Sequence, residues 1–323
     1  MMTVVLFFVG LFLLVLGSDW LVRGGSGIAK KFRIPDIVIG LTIVSMGTSL
    51  PELLVSLFAA LKGSSDIAMG NVIGSNIVNI LFILGLSALA GKLTVKKNTT
   101  FVEIPIVLGT ALLLSLMGVI SADSVSGTGI IGRIHGIFLL FLFGLFLFYM
   151  FWTTQQNRSQ EVVADNKAKA TGKAPWLLVG MLVAGIVLLA WGADLCVSNA
   201  VLIARSWGAS ETLIGLTLVA AGTSLPELFT SVVATIRKES DIAIGNVVGS
   251  NIFNILLILG ASSIIHPISF SLGMISDMWV MSGASLLLFV LVFLGKRHSL
   301  GRIEGLIFLL AYAAYLYFLI QRG

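Results

Sequence analysis

The sequence predicts an all-α polytopic membrane protein, ten transmembrane helices in two inverted-topology repeats of five, and three observations predict it. Of 323 residues, 57% are hydrophobic and 11% charged, and mean hydropathy is +1.06. Apolar runs of about 20 residues, the length of helix that crosses a hydrocarbon core, recur from end to end. Residues 38–87 recur at 213–262, identical at 32 of 50 aligned positions. With ten spans and an external N-terminus, 16 Lys and Arg fall on the inner side and 4 on the outer. That split follows the rule that cytoplasmic loops are basic, and it places both termini outside. It also accounts for the net charge of +5 without nucleic acid. Five spans per copy is an odd number, so the second copy enters the membrane with opposite polarity, the plan of many secondary transporters.

Taken in order, the expected spans are 4–23, 37–61, 67–90, 101–120 and 131–152, then 176–197, 212–236, 242–265, 275–294 and 302–320. The first has no basic leader and no small-residue cleavage site, so it reads as a retained span and not a signal peptide. It ends in Gly17-Ser18-Asp19, answered by Gly192-Ala193-Asp194 at the end of the sixth. The fifth opens on Gly132-Arg133-Ile134-His135-Gly136, answered by Gly301-Arg302-Ile303-Glu304-Gly305 at the tenth. The organisation expected is an N-terminal repeat at 1–152, a polar cytoplasmic linker at 153–175 that reads as flexible, and a C-terminal repeat at 176–323.

The second and seventh spans carry the chemistry. Gly47-Thr48-Ser49-Leu50-Pro51-Glu52 returns letter for letter as Gly222-Thr223-Ser224-Leu225-Pro226-Glu227. A carboxylate at mid-membrane costs roughly 2.5–3.5 kcal/mol on insertion scales and marks function by default. Pro51 lacks an amide proton and crowds the preceding turn, so the helix is expected to break there, freeing carbonyls around Ser45, Gly47 and Thr48. At membrane depth such carbonyls need protein, water or an ion. Carbonyls, hydroxyls and a carboxylate make an all-oxygen setting suited to a hard cation such as Ca²⁺ or Na⁺. The plainer reading, a kink whose Glu pairs with a buried base, finds no Lys or Arg in the core of either segment.

A second polar patch, Gly70-Asn71-Val72-Ile73-Gly74-Ser75-Asn76-Ile77-Val78-Asn79, recurs as Gly245-Asn246-Val247-Val248-Gly249-Ser250-Asn251-Ile252-Phe253-Asn254. Ser75 and Asn79 are four apart and share a helical face, as do Ser250 and Asn254, while the glycines permit close helix approach. Interhelical hydrogen bonding is the competing role for any one of these side chains. Asn76 and Asn251, one position off that face, are assigned to packing or helix ends. Asp19 and Asp194 read as structural partners or pathway-mouth charges, and Asp66 and Asp241 as helix caps. His135, His266 and His298 near span ends receive no chemistry, and the single Cys196 allows no internal disulfide.

These paired motifs resemble the alpha-1 and alpha-2 repeats of the cation/Ca²⁺ exchanger superfamily, most closely its microbial Na⁺/Ca²⁺ exchanger branch, across the whole ten-span plan. The resemblance implies that spans two, three, seven and eight enclose the ions. Glu52, Glu227 and the Thr48 and Thr223 carbonyls would hold Ca²⁺. One Na⁺ site would use Glu52, Ser75, the Ala220 carbonyl, Thr223 and Ser224; the other would use Glu227, Ser250, the Ser45 carbonyl, Thr48 and Ser49. Asn79 and Asn254 would complete the polar middle, Asn254 standing where one form of the family has Asp. Gly74 and Gly249 stand where proton-coupled relatives tend to carry Glu, and the second patch lacks the acid of potassium-dependent relatives. Both absences favour Na⁺ as coupling ion.

The expected function is therefore Na⁺/Ca²⁺ antiport by alternating access, electrogenic with about three Na⁺ per Ca²⁺, in a prokaryotic cell membrane. The transported ions are the ligands; no cofactor, enzyme activity or nucleic-acid partner is expected, and the chain is expected to work as a monomer. The alternative within the family is Ca²⁺/H⁺ exchange. An intramembrane hydrolase with a Glu base would need a His partner at membrane depth, and no His lies there. A channel usually gains its symmetry from oligomers, not from an internal repeat.

Overall fold

The computed structural model describes residues 2–123, 125–164, 174–206, 222–294 and 298–322. Its helices are α1 (Met2–Phe32), α2 (Asp36–Thr48), α3 (Leu50–Leu61), α4 (Ser65–Ala90), α5 (Thr99–Ile120) and α6 (Arg133–Ala164). The second half supplies α7 (Pro175–Ser206), α8 (Leu225–Ile236), α9 (Ser240–Ile265), α10 (Gly273–Leu294) and α11 (Arg302–Arg322). Among the described residues eight helices are long and apolar enough to span a membrane, and the bent pair α2 and α3 makes a ninth when taken as one span. The start of the expected seventh span, 212–221, lies outside the described residues, and α8 is its remainder.

Short strands depart from the all-α expectation. These are β1 (Leu93–Thr94), β2 (Ala122–Asp123), β3 (Thr128–Ile131), β4 (Ile268–Ser271) and β5 (Ser299–Leu300). They form two antiparallel sheets, β1–β5 and β2–β3–β4, that join loops of the first half to loops of the second. At two to four residues they are too short to leave an alternating pattern in sequence. The segment expected to be a flexible linker is helical as far as Ala164. Residues 165–173 of it lie outside the described residues.

Helix α1 also runs nine residues beyond the expected boundary at 23, to Phe32, and its glycines explain how. Gly10, Gly17 and Gly24 recur every seven residues along the face that meets α7. A Cβ at Gly17 would lie 2.9 Å from the Gly185 carbonyl oxygen, and one at Gly192 would lie 2.9 Å from that of Gly10. The two backbones are in contact and run antiparallel, as small residues permit between membrane helices. Past residue 23 the same stripe continues, since a Cβ at Gly24 would meet the Leu178 carbonyl oxygen at 3.0 Å.

Both copies of the duplicated segment turn in the same way. Between α3 and α4 the chain reverses through Gly63 at φ 71°, and between α8 and α9 through Lys238 at φ 63°. Each turn is closed by the same pair of bonds: Gly63 and Ser64 donate to the Ala60 and Ala59 carbonyls, Lys238 and Glu239 to those of Thr235 and Ala234. Lys238 thus holds a left-handed conformation natural to glycine and costly for other residues.

Candidate cation site

The break expected at Pro51 is present. Helices α2 and α3 meet at Ser49 with a bend of 50°, and Pro51 stands in the first turn of α3, where its missing N–H costs nothing. Pro226 occupies the same place in α8. The freed carbonyl is that of Gly47, four residues before Pro51. The Ser45 carbonyl is not free, contrary to expectation: it accepts the Ser49 N–H at 2.9 Å, and Thr48 Oγ1 lies 3.2 Å from it. The helix runs one residue further toward the proline than a break centred there would allow.

Glu52 and Glu227 open α3 and α8, and both are buried, with 2% and 0% exposure. Among the described residues no ion pair involves either, although their two charges lie close enough to interact. Their partners are hydroxyls: each accepts from a Ser of the opposite copy, and Glu227 Oε1 also from Ser250 of its own copy at 3.4 Å. Ser49 donates to Glu227 Oε1 at 2.7 Å and lies 2.9 Å from Ser250 Oγ. Ser224 donates to Glu52 Oε1 at 3.2 Å and lies 3.4 Å from Ser75 Oγ. The structure thus gathers Glu52, Ser75 and Ser224 into one cluster and Glu227, Ser250 and Ser49 into another. On each Glu the second oxygen, Oε2, is buried and has no hydrogen-bond partner.

Asn79 Oδ1 and Asn254 Oδ1 are also among the buried oxygens without a partner. Asn79 uses its amide nitrogen to bond Asn251 Oδ1 at 3.2 Å. Asn251, assigned to packing or a helix end, thus makes an interhelical bond to the other copy, and wide π-helical turns follow at Val78–Ile83 and Phe253–Leu259. Asn76 conforms, bonding the Val72 carbonyl of its own helix. Thr48 is fully buried and its hydroxyl donates to Asn246 Oδ1 at 2.9 Å; that of Thr223 reaches Asn71 Oδ1 at 3.5 Å. Ala220 lies outside the described residues.

Asn71 and Asn246 were given no role from sequence, yet each braces a break. Asn71 donates to the Glu52 carbonyl and Ser56, Asn246 to the Glu227 carbonyl and Ser231. The signal was present in the repeated Gly-Asn-Val, but the bonds run to a backbone carbonyl on another helix, which no spacing rule reaches. Gly249 faces Ser45: a Cβ there would lie 2.6 Å from its Oγ and 2.7 Å from the Leu41 carbonyl, so this position has no room for a carboxylate side chain.

Other acids within the helices have partners outside the two clusters, although Glu103 Oε2, like the Oε2 atoms of Glu52 and Glu227, is buried without a hydrogen-bond partner. Asp277 pairs with Arg322 at 2.8 Å and accepts from Tyr315. Glu103, also buried, accepts the Tyr149 hydroxyl at 2.8 Å. Asp19 pairs with Arg23 and Arg237, as a structural partner would. Asp241 is no cap; it pairs with Lys96 at 2.6 Å, and the helix-capping position is held by Glu239, which makes no side-chain cap bond. Asp66 lies one residue inside the first turn of its helix, after Ser64 at the capping position. Among the described residues no three His, Cys, Asp or Glu converge, so the clusters around Glu52 and Glu227 combine carboxylate with hydroxyl and amide oxygen, the donor chemistry of hard cations.

Known proteins resemble this chain over nearly their whole length. CaxA of Alkalimonas amylolytica is 40% identical over 320 residues, 96% of this chain and 96% of its own. The sodium/calcium exchanger MaX1 of Methanosarcina acetivorans is 33% identical over 342 residues, 95% of each. A solved structure of the sodium-calcium exchanger NCX_Mj, soaked with Na⁺ and Ca²⁺, superposes with a TM-score of 0.81 at 34% identity, covering 98% of both chains. The family profile described as sodium/calcium exchanger protein matches residues 2–152 and 177–321. With the profile spanning both halves, and the duplicated Glu breaks lying within the matched segments, the chain is an integral membrane protein that belongs to the sodium/calcium exchanger family.

Proposed function

We propose that the chain is a secondary antiporter that exchanges Na⁺ for Ca²⁺ across a prokaryotic cell membrane by alternating access, through ten spans in two inverted five-helix repeats, with the 153–175 linker in the cytoplasm and both termini outside. The observation that carries this reading is the pair of buried carboxylates, each with one oxygen held by a Ser of the opposite copy and one oxygen without a partner. Two carboxylates bring a charge of −2, which one Ca²⁺ neutralises. Bidentate coordination by Glu52 and Glu227, with the Thr48 and Thr223 carbonyls and water, supplies the six to eight oxygens Ca²⁺ takes.

The same carboxylates serve Na⁺. Glu52, Ser75, Thr223, Ser224 and the Ala220 carbonyl form one Na⁺ site, and Glu227, Ser250, Thr48 and Ser49 the other. The Ser45 carbonyl, which accepts the Ser49 amide, has a second lone pair to offer the ion. Asn79 and Asn254 line the space between. Sharing Glu52 and Glu227 makes the two cations compete, and competition at a site reached from alternate sides is exchange. Three Na⁺ against one Ca²⁺ moves one charge per cycle. The glycine-packed α1 and α7, in backbone contact with each other, form the unit that moves against the rest.

⁴⁵Ca²⁺ uptake into proteoliposomes tests the reading. An outward Na⁺ gradient drives uptake, an outward H⁺ gradient without Na⁺ does not, and K⁺ is not required. Uptake that follows the pH gradient in the absence of Na⁺ would make the protein a Ca²⁺/H⁺ exchanger.

A further inference from the structure

Building on the exchange reading, we infer that Asn71 and Asn246 are a pair of amide latches on the two helix breaks, one closed and one slack in this structure, and that the closed latch sets the side from which the cation site is reached. Within each copy the two amides are held alike. Asn71 Nδ2 lies 3.1 Å from the Glu52 carbonyl and 2.9 Å from Ser56 Oγ; Asn246 Nδ2 lies 3.3 Å from the Glu227 carbonyl and 3.0 Å from Ser231 Oγ. These bonds fix each amide plane and turn its Oδ1 toward the Thr of the opposite break.

Between the copies the match ends. The first break reaches its partners at 2.9 Å (Thr48 to Asn246), 2.7 Å (Ser49 to Glu227) and 2.9 Å (Ser49 to Ser250). The second reaches its own at 3.5 Å (Thr223 to Asn71), 3.2 Å (Ser224 to Glu52) and 3.4 Å (Ser224 to Ser75), each longer by 0.5–0.6 Å. The three cross-copy contacts share this offset while the amide contacts within each copy differ by only 0.1–0.2 Å, so Thr223 and Ser224 stand farther from α3 and α4 than Thr48 and Ser49 stand from their own partners. Burial has the same sense. Asn246 and Thr48 are fully buried, Asn71 and Thr223 are not.

Two equivalent latches that are unequal in one structure form a bistable element. Exchange of roles between them, Thr223 closing on Asn71 as Thr48 leaves Asn246, opens one face of the site as it seals the other. Asn71 and Asn246 act as positioning residues, through the Thr hydroxyls and the backbone of the Glu residues.

Amide hydrogen exchange in detergent, read by mass spectrometry over residues 45–49 and 222–225, tests this without any need for transport. In the unaltered protein the first segment exchanges more slowly than the second. Thr48→Val removes the closed latch but keeps the backbone carbonyl; exchange at 45–49 rises roughly two- to tenfold, the effect of one neutral hydrogen bond, and exchange at 222–225 falls. Thr48→Ser, which keeps the hydroxyl, restores the original order. A purely structural bond would speed exchange at 45–49 with no fall at 222–225, and that result overturns the latch. The reciprocal change in a protein that fails the Na⁺-gradient uptake assay would keep the two-state device and discard the exchange reading; Na⁺-driven uptake without the reciprocal change would do the reverse.

Discussion

Replacing Glu227 by Gln removes a buried charge while keeping side-chain shape, and the two consequences have opposite signs. A carboxylate at this depth costs roughly 2.5–3.5 kcal/mol, and neither an ion pair nor a partner for Oε2 offsets it among the described residues. Gln still accepts the Ser49 hydroxyl, now as a neutral bond weaker by about 1 kcal/mol than the charged one. The variant is therefore more stable than the parent by about 1.5–2.5 kcal/mol in cation-free alkaline buffer, a rise in Tm of several degrees. Glu52→Gln gives up a longer bond, 3.2 Å against 2.7 Å, and gains at least as much. Added Ca²⁺ reverses the ranking: at a hundredfold excess over Kd a bound ion stabilises the parent by about 2.7 kcal/mol, and the variants lose most of this. Thermal unfolding in detergent, with and without Ca²⁺, reads both effects. A Gln variant that melts lower than the parent without cation, or gains as much from Ca²⁺, would show that the carboxylate is a structural group and not the ion's ligand.

Glu52→Ala and Glu227→Ala abolish ⁴⁵Ca²⁺ uptake while the purified protein stays folded by circular dichroism; near-normal uptake by either would remove that Glu from the site. In a Cys196→Ala background, an impermeant thiol reagent on intact cells labels Ser64→Cys and not Ser159→Cys, and the opposite pattern would invert the orientation. Gly17→Ala forces α1 and α7 apart and costs about 1–3 kcal/mol of stability, whereas Gly144→Ala, with nothing within 4 Å of its Cβ, is neutral or gains up to about 1 kcal/mol; equal melting points for the two would remove the backbone contact. A membrane potential biases Na⁺-driven Ca²⁺ flux by roughly 2.3 kcal/mol per 100 mV for one net charge per cycle, and flux indifferent to valinomycin-clamped potential would mean an electroneutral cycle.

What could be read from sequence was what local chemistry dictates. Hydropathy marks the helices, and Pro51 and Pro226 mark the breaks, because a missing donor has the same effect in any context. The identical hexapeptides single out Glu52 and Glu227. The contacts between copies were not legible, since a spacing rule describes one helix at a time. Asn71 and Asn246 bond a carbonyl across a helix pair, and Asn251 accepts from Asn79 of the other copy. The Ser45 carbonyl is occupied because the last helical bond, from the Ser49 amide, forms ahead of the proline, a matter of one residue in where the helix stops. Nor does hydropathy separate Glu103 and Asp277 from their partners Tyr149 and Arg322, which lie 46 and 45 residues away in the chain.

The crossing of the serines bears on how such a protein arose. Ser49 serves the Glu of the second half and Ser224 that of the first, so neither half by itself contains a finished cluster. On the inverted-repeat plan proposed above, a single-copy ancestor would have met this need by pairing with another molecule of itself inserted the other way up, which requires a gene product that enters the bilayer in both orientations. Duplication and fusion remove that requirement, since each chain then carries both halves in fixed proportion. They also release the halves from identity. Lys238 can stand where the first half has Gly63, and the basic residues can drift until each half is inserted in one orientation only.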